Sequence, residues 1–259
     1  MIEDRRQVID LNQPRSVLKM ITAALSLYGR YPLLFSLLAL VVVAPYELIA
    51  LAVTGAAPLG QQTVSTGTAL TLFLIELALV GPLVSALDVQ AVAAIGKEQR
   101  PQLRNVAVLG ARCLPVVAAA QIIAGLGIGL GLLAFFIPGV ILAVRWAVVA
   151  QAAAIERTDW LGALRRSGEL ARGEYLHVLG LIALTGLVDY GIARGAEALA
   201  GSSARAPQVV LGIVVETITR SFAALTTAVL YFDRVARKAG VARPDPGWPV
   251  SRDYDDPAS

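Results

Sequence analysis

Long runs of apolar residues, separated by short polar segments, dominate the pattern of this chain. Six of the runs are long enough to cross a membrane as helices, because about 20 apolar residues span the ~30 Å hydrocarbon core. The expected spans cover residues 31–53, 68–95, 114–134, 136–155, 175–199 and 208–232. The pattern therefore predicts an all-α, polytopic membrane helix bundle with six transmembrane helices.

The composition agrees with this prediction. Hydrophobic residues make up 56% of the 259 residues, charged residues 16%, and the mean hydropathy is +0.67. Soluble domains carry about 25% charged residues. We divide the chain into a polar N-terminal lead (1–13), a six-span membrane domain (14–238) and a polar cytoplasmic tail (239–259) that we expect to be disordered.

Basic amphipathic segments precede three of the spans. Residues 14–30, 96–113 and 156–174 combine apolar residues at helical spacing with lysines and arginines, as helices in the membrane surface do. Two interpretations fit: three parallel repeats of a surface helix followed by a hairpin, or a hairpin bundle with basic loops on one side.

Lysine and arginine also predict the orientation. Four segments on one side of the predicted spans hold 5, 4, 4 and 5 of these residues, and the opposite loops hold only Arg194 and Arg205. Because basic loops stay inside, we expect both termini in the cytoplasm.

Charged residues within the spans are the candidate functional site, since such residues are costly in hydrocarbon. At about 1.5 Å per residue, six of them lie in one layer below the outer face, where Arg145 would pair with Glu47 or Glu76. Glu216 and Arg220 are four positions apart, so they can pair on one helix face. The six are Glu47, Glu76, Arg145, Asp189, Glu216 and Arg220. They either tie helices together or line a polar cavity for a headgroup, a solute or protons.

Basic residues of the surface segments are candidate contacts for anionic lipids, because the inner leaflet is negatively charged. They are Arg15, Lys19, Arg165, Arg166 and Arg172. Cys113 is the single cysteine and His177 the single histidine, so the sequence predicts no disulfide, no metal site and no cofactor. Nothing in it indicates nucleic-acid binding. The expected partners are the bilayer, anionic lipids, and a second copy or a protein partner.

Several stretches resemble a known family. They are IPGVILAVRWAVVAQAAAIE from residue 137, GALRRSGELARGEYLHVLG from residue 162 and LTTAVLYFDRVARKAG from residue 225. Together with residues 14–43 they are similar to the bacterial membrane-domain family named after glycerophosphoryl diester phosphodiesterase. The matching positions are Ile137, Pro138, Gly139, Arg145, Arg165, Arg166, Ser167, Tyr231, Phe232 and Asp233.

The resemblance implies a multi-span protein in the inner membrane of a bacterial cell, and no defined activity. Some members carry a soluble phosphodiesterase barrel, but one histidine and six spans cannot supply its catalytic residues. Our first hypothesis is therefore a non-enzymatic membrane protein that handles lipids or small solutes, or that serves as the membrane subunit of an assembly. The alternative is a transporter that uses the charged layer. An intramembrane enzyme is a third possibility, for which the sequence offers no motif.

Overall fold

The computed structural model describes residues 16–55, 64–97, 101–200 and 205–242, without the side chains of residues 205, 241 and 242. Of this part, 91% is helical and none of it forms strands, which confirms the all-α prediction. The helices are α1 Val17–Arg30, α2 Pro32–Thr54, α3 Thr66–Ile75, a π-helical segment Glu76–Val80, α4 Gly81–Gly96, α5 Leu103–Ala134, α6 Phe136–Arg145, α7 Val149–Glu156, α8 Trp160–Ala171, α9 Tyr175–Ala200 and α10 Arg205–Ala242.

Within the described ranges, six stretches are long and apolar enough to cross a membrane, as the sequence predicted. The spans are α2, α3 through α4, α5, α6 through α7, α9 and α10. Only 17–44% of each is buried in the protein, and side chains such as Leu33, Leu133 and Leu176 are largely exposed. Such apolar surfaces are compatible with a multi-pass integral membrane protein whose spans face lipid.

The second span is interrupted by the π-helical segment. It begins at Glu76 and ends just before Gly81-Pro82. Because proline has no N–H and its ring clashes with the preceding turn, a wider π turn relieves the conflict. The insertion also rotates the residues before it relative to α4, and it thereby sets the direction in which Glu76 leaves the helix.

The fourth span is broken between α6 and α7. Val149 N–H bonds to the Trp146 carbonyl instead of the helical i−4 partner, at 3.2 Å. The Trp146 ring packs against Gly127 of α5, where a Cβ would lie 2.5 Å from it. Ser167 of α8 fills the break, because its hydroxyl donates to the Arg145 carbonyl at 2.9 Å and accepts from the Val148 amide at 3.3 Å.

Helix α10 lies at the centre and packs against α1, α2, α4, α8 and α9. Its inner half is completely buried from Leu225 to Leu230 on the core side. Helix α1 buries Met20, Ala24 and Leu27, and Tyr28 hydrogen-bonds to Ser36 of α2 at 2.7 Å. The amphipathic helices therefore cover the inner end of the bundle.

The first and third surface segments form separate helices, α1 and α8, but the second does not. Residues Leu103–Ala134 make one continuous helix of 32 residues. No glycine turn separates its basic beginning from its apolar part, and Pro115 lies inside the helix without ending it. The proposed threefold unit is therefore complete only twice in the part of the chain that the structure describes.

Candidate functional site

Arg220 of α10 is the centre of a charged cluster within the spans. Its guanidinium pairs with Glu76, at the start of the π-helical segment, and with Glu216 one turn earlier on α10. The Glu216–Arg220 pair at i, i+4 was predicted from the sequence and is confirmed. The side chains are 28–37% exposed, so they lie at the edge of the bundle and not in its core.

Two further acids surround this group without reaching Arg220. Glu47 of α2 interacts electrostatically with Glu216, Glu76 and Arg220, and Asp189 of α9 interacts with Arg220 and Glu216. Neither forms an ion pair within 4.0 Å among the described residues. One Asp189 oxygen is buried without a hydrogen-bond partner. Four carboxyl groups thus surround one guanidinium, and only two of them pair with it.

A cleft of ≈ 380 Å³ opens beside this cluster between α9 and α10. Asp189, Glu216 and Arg220 contribute its polar lining, and Tyr190 stands at its side. The Arg194 guanidinium lies 5.4 Å from the Tyr190 ring and pairs with Glu197 at 2.7 Å. The cleft therefore combines acids, one arginine and an aromatic ring.

Local contacts hold the second span in position. Tyr46, which precedes Glu47, donates a hydrogen bond from its hydroxyl to the Leu72 carbonyl at 3.3 Å. This bond joins α2 to α3 one turn before Glu76. The π-helical segment then directs Glu76 towards α10. The first two spans and α10 therefore come together around Arg220.

The structure brings together five of the six charges predicted from depth, and Arg145 is the exception. Its expected pairing with Glu47 or Glu76 is absent, and its guanidinium forms no ion pair within 4.0 Å among the described residues. Instead, its side chain packs against Gly168 of α8, where an added Cβ would lie 2.8 Å from Nε. A count of residues along a span does not specify the helix face from which the Arg145 side chain projects.

Asp88 lies apart from the Arg220 cluster. Its side chain is fully buried in α4, and Ser221 of α10 donates a hydrogen bond to it at 3.2 Å. The other carboxyl oxygen has no partner among the described residues. Further along α10, Thr227 accepts a hydrogen bond from Gln151 of α7 at 2.8 Å. A line of polar contacts thus follows α10 from Arg220 towards its C-terminal end.

The candidate lipid contacts have different environments. Arg15 lies outside the described residues, and Lys19, Arg165 and Arg172 are exposed. Arg166 pairs with Glu156 at 2.8 Å, and this hydrogen bond raises the pKa of the guanidinium. Arg166 is therefore tied to the protein, and the exposed members remain available to lipid.

Motif residues behind the family resemblance contact one another where α7, α8 and α10 meet. Arg166 and Tyr231 both bind the Glu156 carboxylate, at 2.8 and 2.9 Å. Ser167 binds the Arg145 carbonyl, as described above. These contacts join α7, α8 and α10 and give the motif positions a structural role.

No group of three or more His, Cys, Asp or Glu residues is placed to hold a metal ion within the described ranges. No family model, curated protein or solved structure matches the chain. The interpretation of the Arg220 cluster therefore rests on its own geometry and chemistry.

Proposed function

We propose that this protein is a non-enzymatic membrane carrier that binds a small organic cation at the Arg220 cluster. The observation that carries the proposal is the imbalance of charge. Arg220 pairs with Glu76 and Glu216, whereas Glu47 and Asp189 have no cationic partner of their own among the described residues. Intramembrane carboxyl groups need protons or a bound cation, since hydrocarbon does not solvate them.

The cleft favours an organic cation over a metal ion. Its ≈ 380 Å³ falls within the range of small-molecule sites, about 300–1,000 Å³. The carboxyl groups are too dispersed to ligate one metal ion. Tyr190 offers an aromatic face beside Asp189, and ammonium groups bind such faces. An amine or quaternary ammonium solute satisfies both features.

The rival interpretation, that the charges only tie helices together, explains part of the cluster. Arg220 does join α10 to the second span through Glu76. It does not explain Glu47 and Asp189, which add negative charge without an ion pair. The two roles can be tested separately, because Glu76 and Glu216 pair with Arg220, whereas Glu47 and Asp189 form no ion pair among the described residues.

Binding and flux test the proposal. The melting temperature of the purified protein is measured in detergent with choline, putrescine or tetraethylammonium. Counterflow of any cation that raises the melting temperature is then measured in proteoliposomes. We expect stabilisation and flux with wild type, and loss of both in Glu47→Gln and Asp189→Asn. Glu197→Gln is the matched control, since it removes an acid of α9 from an exposed ion pair. If no cation stabilises the wild type, or the variants behave like the control, the proposal is wrong.

We also propose, from the resemblance, that the chain belongs to the bacterial membrane-domain family named above and lies in the inner membrane with both termini in the cytoplasm. Six spans are consistent with termini on one side. An experimental structure of the membrane domain of a family member tests the membership. A shared broken fourth span, with a serine of the next helix in the break, would support it.

A further inference from the structure

A second cavity lies at the inner end of the bundle, away from the Arg220 cluster. It occupies ≈ 310 Å³ between α4, α5 and α7. Its lining includes Gln90, Leu109, Arg112, Cys113, Val116 and Arg157. None of these residues was singled out as a ligand contact by the sequence, because they come from three distant segments.

Two positive charges in this cavity lack a counter-charge. The side chains of Arg112 and Arg157 form no ion pair or hydrogen bond with any residue that the structure describes. The acids next to Arg157 are engaged elsewhere: Glu156 accepts hydrogen bonds from α8 and α10, and Asp159 caps α8 by accepting from Gly162 at 2.9 Å. The cavity is therefore suited to an anion.

The backbone fixes Arg157 at this position. It ends α7 in the left-handed conformation, with φ 50° and ψ 35°, and no other non-glycine residue in the described ranges has a positive φ. Glycine is the usual residue at such a helix end. Gln90 holds the wall beside it, donating to the Ala154 carbonyl at 2.9 Å. The cavity is thus built from a fixed turn and an interhelical hydrogen bond.

Both arginines lie one hydrocarbon thickness from the outer face. Arg112 is 22 positions from the outer end of α5 at Ala134, or about 33 Å. Arg157 follows directly after α7 and lines the same cavity as Arg112, so it lies at a similar depth. The hydrocarbon core is ~30 Å thick, so both guanidinium groups reach the headgroup level of the inner leaflet. Leu109 and Val116 provide apolar walls next to them.

We propose that this cavity binds the phosphate of an anionic phospholipid from the inner leaflet, with an acyl chain along the apolar wall. Guanidinium groups bind phosphate through paired hydrogen bonds, and basic pockets between spans suit lipid headgroups. The depth and the apolar lining favour a lipid over free phosphate. The site is separate from the Arg220 cluster and does not depend on the function proposed for it.

Lipid retention tests the arginines. Purified full-length protein is equilibrated with phosphatidylglycerol or phosphatidylcholine, and bound lipid is measured by native mass spectrometry. We expect the wild type to retain phosphatidylglycerol and Arg112→Gln/Arg157→Gln to bind it at least about tenfold more weakly. The control is Lys97→Gln, which removes a positive charge at the same end outside the cavity. Equal retention in a folded double variant overturns the proposal.

The single cysteine provides a second test, in which both arginines are left unchanged. Cys113 lines the cavity and is partly exposed. We expect N-ethylmaleimide to modify it more slowly in phosphatidylglycerol than in phosphatidylcholine nanodiscs. The control is the variant Ser26→Cys with Cys113→Ser, whose single thiol lies at an exposed position of α1. It measures how far the charge of the membrane alone changes the rate of modification. Equal slowing at both thiols overturns the proposal, and protection by inorganic phosphate alone overturns its assignment to a lipid.

Discussion

Ser167 donates a hydrogen bond to the backbone carbonyl of Arg145, 22 positions earlier in the chain, at 2.9 Å. The same hydroxyl accepts from the Val148 amide at 3.3 Å. A break in a membrane helix leaves backbone groups that need partners, since lipid offers none. One fully buried side chain of α8 satisfies both sides of this break.

Replacing this hydroxyl is expected to destabilise the protein. Ser167→Ala leaves a buried carbonyl and amide without a partner, at a cost of about 1–3 kcal/mol. Thermal unfolding in detergent measures the effect. Ser26→Ala removes an exposed serine hydroxyl that bonds only within its own helix, and it should change little. Equal melting temperatures for the two variants would contradict the role given to Ser167.

Alanine substitutions at two glycines of α5 are expected to have very different effects on stability. A Cβ at Gly131 would lie 2.9 Å from the Cα of Gly139 and 3.0 Å from its nitrogen, so backbone would have to move. We expect Gly131→Ala to cost about 1–3 kcal/mol. At Gly129 nothing lies within 4 Å, and Gly129→Ala should be neutral or stabilising because alanine favours helices. Similar unfolding curves for both variants would contradict the packing described for α5 and α6.

Removing Arg220 is expected to destabilise the bundle, because it leaves Glu76 and Glu216 together without their cation. The loss for Arg220→Gln should reach a few kcal/mol, and Glu76→Gln in the same chain should recover part of it. Arg194→Gln breaks a pair that is 60% and 44% exposed and should cost under about 1 kcal/mol. Unfolding of the wild type, Arg220→Gln, Glu76→Gln and the double variant gives the coupling energy between the two residues. An additive result would show that Arg220 and Glu76 do not depend on each other.

Topology reporters test the orientation. Green fluorescent protein fused to either end should fluoresce, and alkaline phosphatase fused there should be inactive, because both termini are expected in the cytoplasm. Alkaline phosphatase inserted at residue 60, between the first two spans, should be active. Opposite results for the two termini would contradict an even number of spans.

The sequence predicted the spans well because membrane helices are specified by length and apolarity, and these can be counted. It also predicted the Glu216–Arg220 pair, since four positions on one helix define a shared face. It failed for Arg145, where no proline or glycine within residues 146–148 marks the break. The break depends on Ser167 and Gly127, which come from other elements.

The other differences between the sequence prediction and the structure also concern features that a count along the chain does not specify. The π-helical segment before Gly81-Pro82 redirects Glu76, and a linear count assigns no direction to a side chain. The continuous helix α5 shows that basic amphipathic residues do not by themselves end a helix. The cavity with Arg112 and Arg157 unites α5 with the turn after α7, a proximity that exists only after folding.

Helix α10 is 38 residues long, which corresponds to about 57 Å. Between residues 213 and 239 it contains neither glycine nor proline, so this stretch behaves as a stiff rod. Arg220 near its outer part and Arg237, which lies 3.6 Å from Glu174, are separated by about 26 Å along the axis. A tilt of α10 about its buried middle would therefore move these two arginines in opposite directions.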